Sequence, residues 1–128
     1  MIKRFIEDDD LDVLIETEDV HILFPAWLPE GVYIDSIYRI DKSNGAEIVL
    51  SFSDTDLSFV VMYIGKEAPQ LNESEIKSFC INGTQIEVLF LNTTDGFEAM
   101  FDYQGARYDI HYCNDVQLME ILNGLRWR

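Results

Sequence analysis

From Val32 to Cys113 the chain runs in short stretches of alternating apolar and polar residues, separated by turn formers. That is the period-two signature of strands with one buried face. Phe97, Ala99, Phe101 and Tyr103 fall on one side, with Glu98, Met100 and Asp102 on the other. Ala106, Tyr108, Ile110 and Tyr112 likewise oppose Arg107, Asp109, His111 and Cys113. The pattern predicts strands over 32–40, 46–53, 57–65, 76–82, 84–92, 96–103 and 106–113. Asn44-Gly45, the "SDTD" stretch, Asn82-Gly83 and Gln104-Gly105 supply the turn chemistry between them. "KEAPQLNESE" is the longest loop.

The period changes at both ends. Leu11, Leu14 and Ile15 have helical spacing behind a run of aspartates, which predicts a short acidic helix over 10–17. "VHILF" then reads as a strand entering "FPAWLPEG". At the other end Leu118, Ile121, Leu122 and Leu125 recur at i, i+3, i+4 and i+7, with Asn114 or Asp115 placed to cap. Burying those four side chains on the sheet contributes on the order of 6–12 kcal/mol before entropy is subtracted. The expected fold is a single α+β domain over 1–128. It is an antiparallel meander of about six to seven strands, with the short N-terminal helix and an amphipathic C-terminal helix on the apolar face.

"FPAWLPEG" breaks both periods. The residue before each proline is pushed to extended geometry, so Phe24 and Leu28 are extended, and neither Pro25 nor Pro29 can donate to a sheet. Gly31 supplies the permissive turn. The stretch is expected to be a rigid corner whose Trp27 and Leu28 tuck one or both side chains against the core. The alternative is an exposed Trp27 as a partner contact.

Composition changes this picture mainly through charge. Nine Lys and Arg against 24 Asp and Glu give a net charge of −15. So much negative potential repels phosphate backbones and anionic lipid, which argues against nucleic-acid binding. With 48% hydrophobic residues the chain still has the apolar material for a core. Eight of the 13 residues from Glu7 to Asp19 are acidic and none is basic. Glu7, Asp8, Asp9, Asp10 and Asp12 are therefore, with Trp27, the candidate contacts for a protein partner, which the charge suggests is basic.

No run reaches the ~18 apolar residues that span a bilayer, and "MIKRFIEDDD" has no signal-peptide core, so the chain reads as staying in the cytoplasm without membrane insertion.

Candidate chemistry is sparse. If Gln104 and Gly105 are the two turn residues, cross-strand partners sum to 209, which sets Asp102 opposite Arg107 and Glu98 opposite His111. Glu98, Asp102, Arg107, Asp109 and His111 then form one polar face, explained by ion pairing and open to an acid/base role only with a pocket. Counting Asp41 as position one of a calcium loop puts Ala46 at position six and Phe52 at position twelve, which the loop chemistry does not allow. His21 has no metal-ligand partner nearby, and no phosphate loop, nucleophile elbow or zinc motif occurs. No cofactor, metal or catalytic residue is assigned. Asn72, Asn82 and Asn92 satisfy the glycosylation pattern but read as loop or turn residues. In a meander of the last four strands, Cys80 and Cys113 stand three spacings apart, roughly 14 Å. A disulfide needs Cα atoms within about 7 Å, so two free thiols are expected.

"FPAWLPEGVYI", then "GFEAMFDYQGARYDIHY" running into "DVQLMEILNGL", resembles the bacterial family known as domain of unknown function 4367. The likeness spans about residues 20–126. Val32 stands between Gly31 and Tyr33, and Phe101 stands where that family often has tryptophan. The resemblance implies the outward-facing part of a membrane-anchored envelope or regulatory protein, with no settled activity. Together the residues and the resemblance lead to a non-enzymatic interaction or sensing domain. A small acidic inhibitor of a basic site, using the 7–19 segment, is the alternative.

Overall fold

The computed structural model describes residues 2–6, 22–42, 45–63 and 76–127. In chain order the elements are β1 (Ile2–Ile6), β2 (Leu23–Pro25), β3 (Ile34–Lys42), β4 (Gly45–Phe52) and β5 (Ser58–Tyr63). They continue with β6 (Ile76–Ile81), β7 (Thr84–Thr93), β8 (Gly96–Tyr103), β9 (Ala106–Tyr112), α1 (Asp115–Asn123) and β10 (Leu125–Trp127). The seven strands read from alternation are β3 to β9. The helix expected over 10–17 lies outside the described residues.

Eight strands form one antiparallel sheet in the order β1-β3-β4-β5-β9-β8-β7-β6. The last four sequential strands are a meander, as expected. The sheet as a whole is not: β5 pairs with β9, and β6 stands four places away at the edge. Matching of buried faces accounts for that junction. Phe59 pairs with Ile110 and Val61 with Tyr108, and all four side chains are fully buried on the same side.

Turn chemistry fixes the registers. Asn82 and Gly83 have φ of 51° and 79°, and Gln104 and Gly105 have 48° and 80°. Positive φ at both central residues is the requirement of a type I′ hairpin turn, and Asn-Gly meets it most easily. The pairs Ile81 with Thr84 and Tyr103 with Ala106 close the two hairpins. Asn82 also donates from Nδ2 to the Tyr103 hydroxyl at 3.2 Å, joining the neighbouring hairpins. Gly45, expected in a turn, is already the first residue of β4 and pairs with Lys42.

The core lies on one face. Ile48, Leu50, Phe59, Val61, Phe101, Tyr108 and Ile110 are sealed there, and α1 brings Leu118, Ile121 and Leu122 into the same core, packing against β6, β8 and β9. Tyr108 stacks flat on its cross-strand partner Phe101, ring centroids 4.9 Å apart, and meets Phe59 edge-on at 6.3 Å. Its hydroxyl accepts the backbone N–H of Leu23 at 2.8 Å, tying β2 to the core.

Asn114 caps α1: its side chain accepts from the Gln117 N–H at 3.0 Å. The helix ends at Asn123, two residues short of the Leu125 that its apolar spacing includes. The Gly124 N–H bonds back to Glu120 and Ile121, and the chain then becomes β10, which pairs antiparallel with β2. Leu125 is thus buried as a strand residue rather than as a helical one. Among the described residues no helix is long and apolar enough to cross a membrane.

Candidate functional site

Two places hold the side chains picked out by sequence: the sheet face opposite α1, and the proline corner.

On the sheet face the pairing is as expected. Asp102 lies opposite Arg107 and Glu98 opposite His111. Arg107 and Asp102 meet as a two-pronged fork, Nε donating to Oδ1 at 2.7 Å and Nη2 to Oδ2 at 2.9 Å. This face is not the solvated one that alternation suggested. Arg107 is only 5% exposed, and Leu89 on the same face is buried. The carboxylate beside Arg107 holds the guanidinium in its charged form, raising its pKa against the opposing effect of burial.

Alternation could not show the contact between Glu98 and Asp109. They sit on neighbouring strands but are not register partners, since Asp109 faces Met100. Burial first, then the negative charge of Glu98 and the hydrogen bond shared with it, push Asp109 up to about 6; His111 and Arg107 pull in the other direction. His111 shares a 3.1 Å contact between its Nε2 and the Thr93 hydroxyl. The cluster therefore consists of polar groups already engaged with one another: Arg107 with Asp102, Asp109 with Glu98, His111 with Thr93. Among the described residues no group of three or more His, Cys, Asp and Glu side chains is arranged to hold a metal ion. Cys80 lies on β6 and Cys113 just beyond β9, both exposed and unbridged.

The corner is built differently. Pro25 sits at the end of β2 opposite Leu125, and the Ala26 N–H donates to the Gly124 carbonyl at 2.9 Å. The Val32 N–H donates to the Pro29 carbonyl at 2.9 Å across Gly31, whose φ is 81°. Positive φ at the third position of a four-residue turn is the type II requirement, met here by glycine. Tyr33 is then clamped on both sides of its backbone. Its N–H donates to the Ser53 hydroxyl at 3.0 Å, and its carbonyl accepts the Ser53 N–H at 2.9 Å. The Ser53 hydroxyl in turn reaches the Gly31 carbonyl at 3.3 Å.

Leu28 packs against the core, whereas Trp27 is 37% exposed and Tyr33 is 61% exposed. The expected choice for Trp27 resolves between its two forms: its Cβ rests near Gly124, as a structural tryptophan would, while over a third of the residue stays exposed. Tyr33 was not singled out from sequence. It was read as part of the strand expected over 32–40; β3 begins only at Ile34, which leaves Tyr33 between the type II turn and the sheet.

No protein-family model matches the chain, and no curated protein or solved structure matches it. The stretches quoted above for their resemblance to domain of unknown function 4367 fall in the corner, the β8–β9 hairpin and α1. Glu7, Asp8, Asp9, Asp10 and Asp12 lie outside the described residues.

Proposed function

We propose that the chain is a non-enzymatic interaction domain that holds a protein partner through its proline corner. One observation carries this reading: Trp27 and Tyr33 stand exposed on a backbone fixed by hydrogen bonds to Gly124, Pro29 and Ser53. Large aromatic rings held in place lose little freedom on binding, which is why such side chains dominate interface energetics. The resemblance to a family of envelope or regulatory proteins with no settled activity is compatible with it. On the sheet face, mutual pairing gives Glu98, Asp102, Arg107, Asp109 and His111 a structural role.

A second reading, a small acidic inhibitor covering a basic site through residues 7–19, is favoured by the net charge of −15. The two separate by where binding is lost. A partner captured from the source cells and purified is expected to bind Tyr33→Ala and Trp27→Ala together at least a hundredfold more weakly, with secondary structure unchanged. Equal binding by this double variant, together with loss on neutralising Asp8, Asp9, Asp10 and Asp12, would transfer the function to the inhibitor reading.

A further inference from the structure

The corner carries a second layer of information about what it binds. β3 and β4 are in register at Ile34 with Phe52 and again at Ser36 with Ser51, so β3 spends two residues where β4 spends one. Asp35 is the extra residue of that β-bulge. Bulges re-aim a side chain and recur beside functional sites. Asp35 is exposed, two residues from the clamped Tyr33.

The neighbouring segments supply the same charge. Glu30 and Asp56 are exposed, and Asp54 is half-buried, accepting the Tyr112 hydroxyl at 2.8 Å and the Asp56 N–H at 3.0 Å. Ser53, whose two bonds to Tyr33 join the segments, places Asp54 and Asp56 beside the corner. Across residues 22–36 and 51–58 there is no Lys, Arg or His. Among the described residues, the cation nearest Trp27 by strand pairing is Arg126, opposite Phe24. Its guanidinium is turned onto the carbonyls of Asn123 and Leu125 at 3.1 and 2.7 Å.

We infer that the corner docks a lysine- and arginine-rich segment of a partner protein, with Tyr33 and Trp27 as aromatic platforms and Glu30, Asp35 and Asp56 as the acidic rim. The chemistry is complementary twice over. Cationic side chains stack on aromatic faces, and the rim carboxylates meet the same charges from the side. This inference rests on the corner being the interaction site and adds the class of partner.

The test uses the whole chain and a fluorescein-labelled dodecapeptide of alternating glycine and basic residues, three lysines and three arginines. At about 50 mM salt, where exposed charges still interact over more than 10 Å, amide shifts on titration are expected to concentrate in 30–35 and 53–56. Glu30→Gln, Asp35→Asn and Asp56→Asn combined should weaken binding at least tenfold. The control combination Glu87→Gln, Asp95→Asn and Glu120→Gln removes the same charge from other exposed positions and should weaken it less than about threefold. Tyr33→Ala alone should cost a further factor of about five to ten. Equal weakening by the two triple variants, or no effect of Tyr33→Ala, would overturn the inference by showing that the peptide responds to net charge only. In that event, loss of the captured partner in the Tyr33 and Trp27 double variant would still uphold the interaction-domain reading.

Discussion

Asp109→Asn is expected to stabilise the protein at neutral pH, although it removes a charge next to Arg107. A carboxyl that titrates near 6 in the fold, against 3.8 for an unperturbed aspartate, binds its proton more tightly folded than unfolded. Its contribution to stability is therefore complete below about pH 4 and is lost as pH rises through 6. The difference corresponds to about 3 kcal/mol at pH 8. Asp109 is half-buried, and solvent screening of a partly exposed group reduces this to about 1–2 kcal/mol. Asparagine stays neutral throughout and can still donate to Glu98. Urea unfolding followed by circular dichroism at pH 4.5, 5.5, 6.5 and 8 should show the variant gaining on the wild type as pH rises. Most of the gain should come between about pH 4 and 6, levelling off above that. A stability difference that does not change across that range, or a variant less stable than wild type at pH 8, would refute the account of the Glu98–Asp109 pair.

Two further substitutions probe the frame. Gly96 has φ of 152°, and a Cβ there would meet the main chain of Tyr112 and Cys113, the nearest atom being the Tyr112 carbonyl oxygen. Gly96→Ala should cost about 2–5 kcal/mol by chemical denaturation, whereas Gly31→Ala, with open space around it, should cost only about 1–2 kcal/mol from its positive φ. Asp102→Ala strips the fork from a nearly buried Arg107 and should cost about 1–3 kcal/mol, with Arg107→Met on the same background recovering part of the loss.

Strand positions were legible because side-chain alternation and turn chemistry are local. Asn82-Gly83 set the register of β6 with β7, and Gln104-Gly105 that of β8 with β9, which carried Asp102 to Arg107 and Glu98 to His111 without further information. The neighbours of β5 were not legible. Pairing with β9 joins residues about fifty positions apart and depends on which greasy faces fit, which no local period records. β1 was missed because five residues are too few to establish a period. The helix was read two residues too long because Leu125 satisfies helical spacing and strand burial equally well, and only the hydrogen bonds of Gly124 decide between them. At the site, Trp27 was visible as a large residue in a stiff stretch. Tyr33 and the Asp35 bulge were not, because a one-residue register shift leaves no mark in composition.

The pairing of β10 with β2 bears on how the protein is made. Leu23 meets Trp127, and Pro25 meets Leu125, so the strand that steadies the corner comes from the far end of the chain. While the polypeptide is still being synthesised, the β6–β9 hairpins can form from contacts a few residues apart. β2 must wait for its partner to emerge. A nascent or prematurely terminated chain lacking residues 125–127 would therefore present Ile22, Leu23 and Phe24 without that strand beside them. The defect would show at β2, about a hundred positions ahead of the residues that are missing.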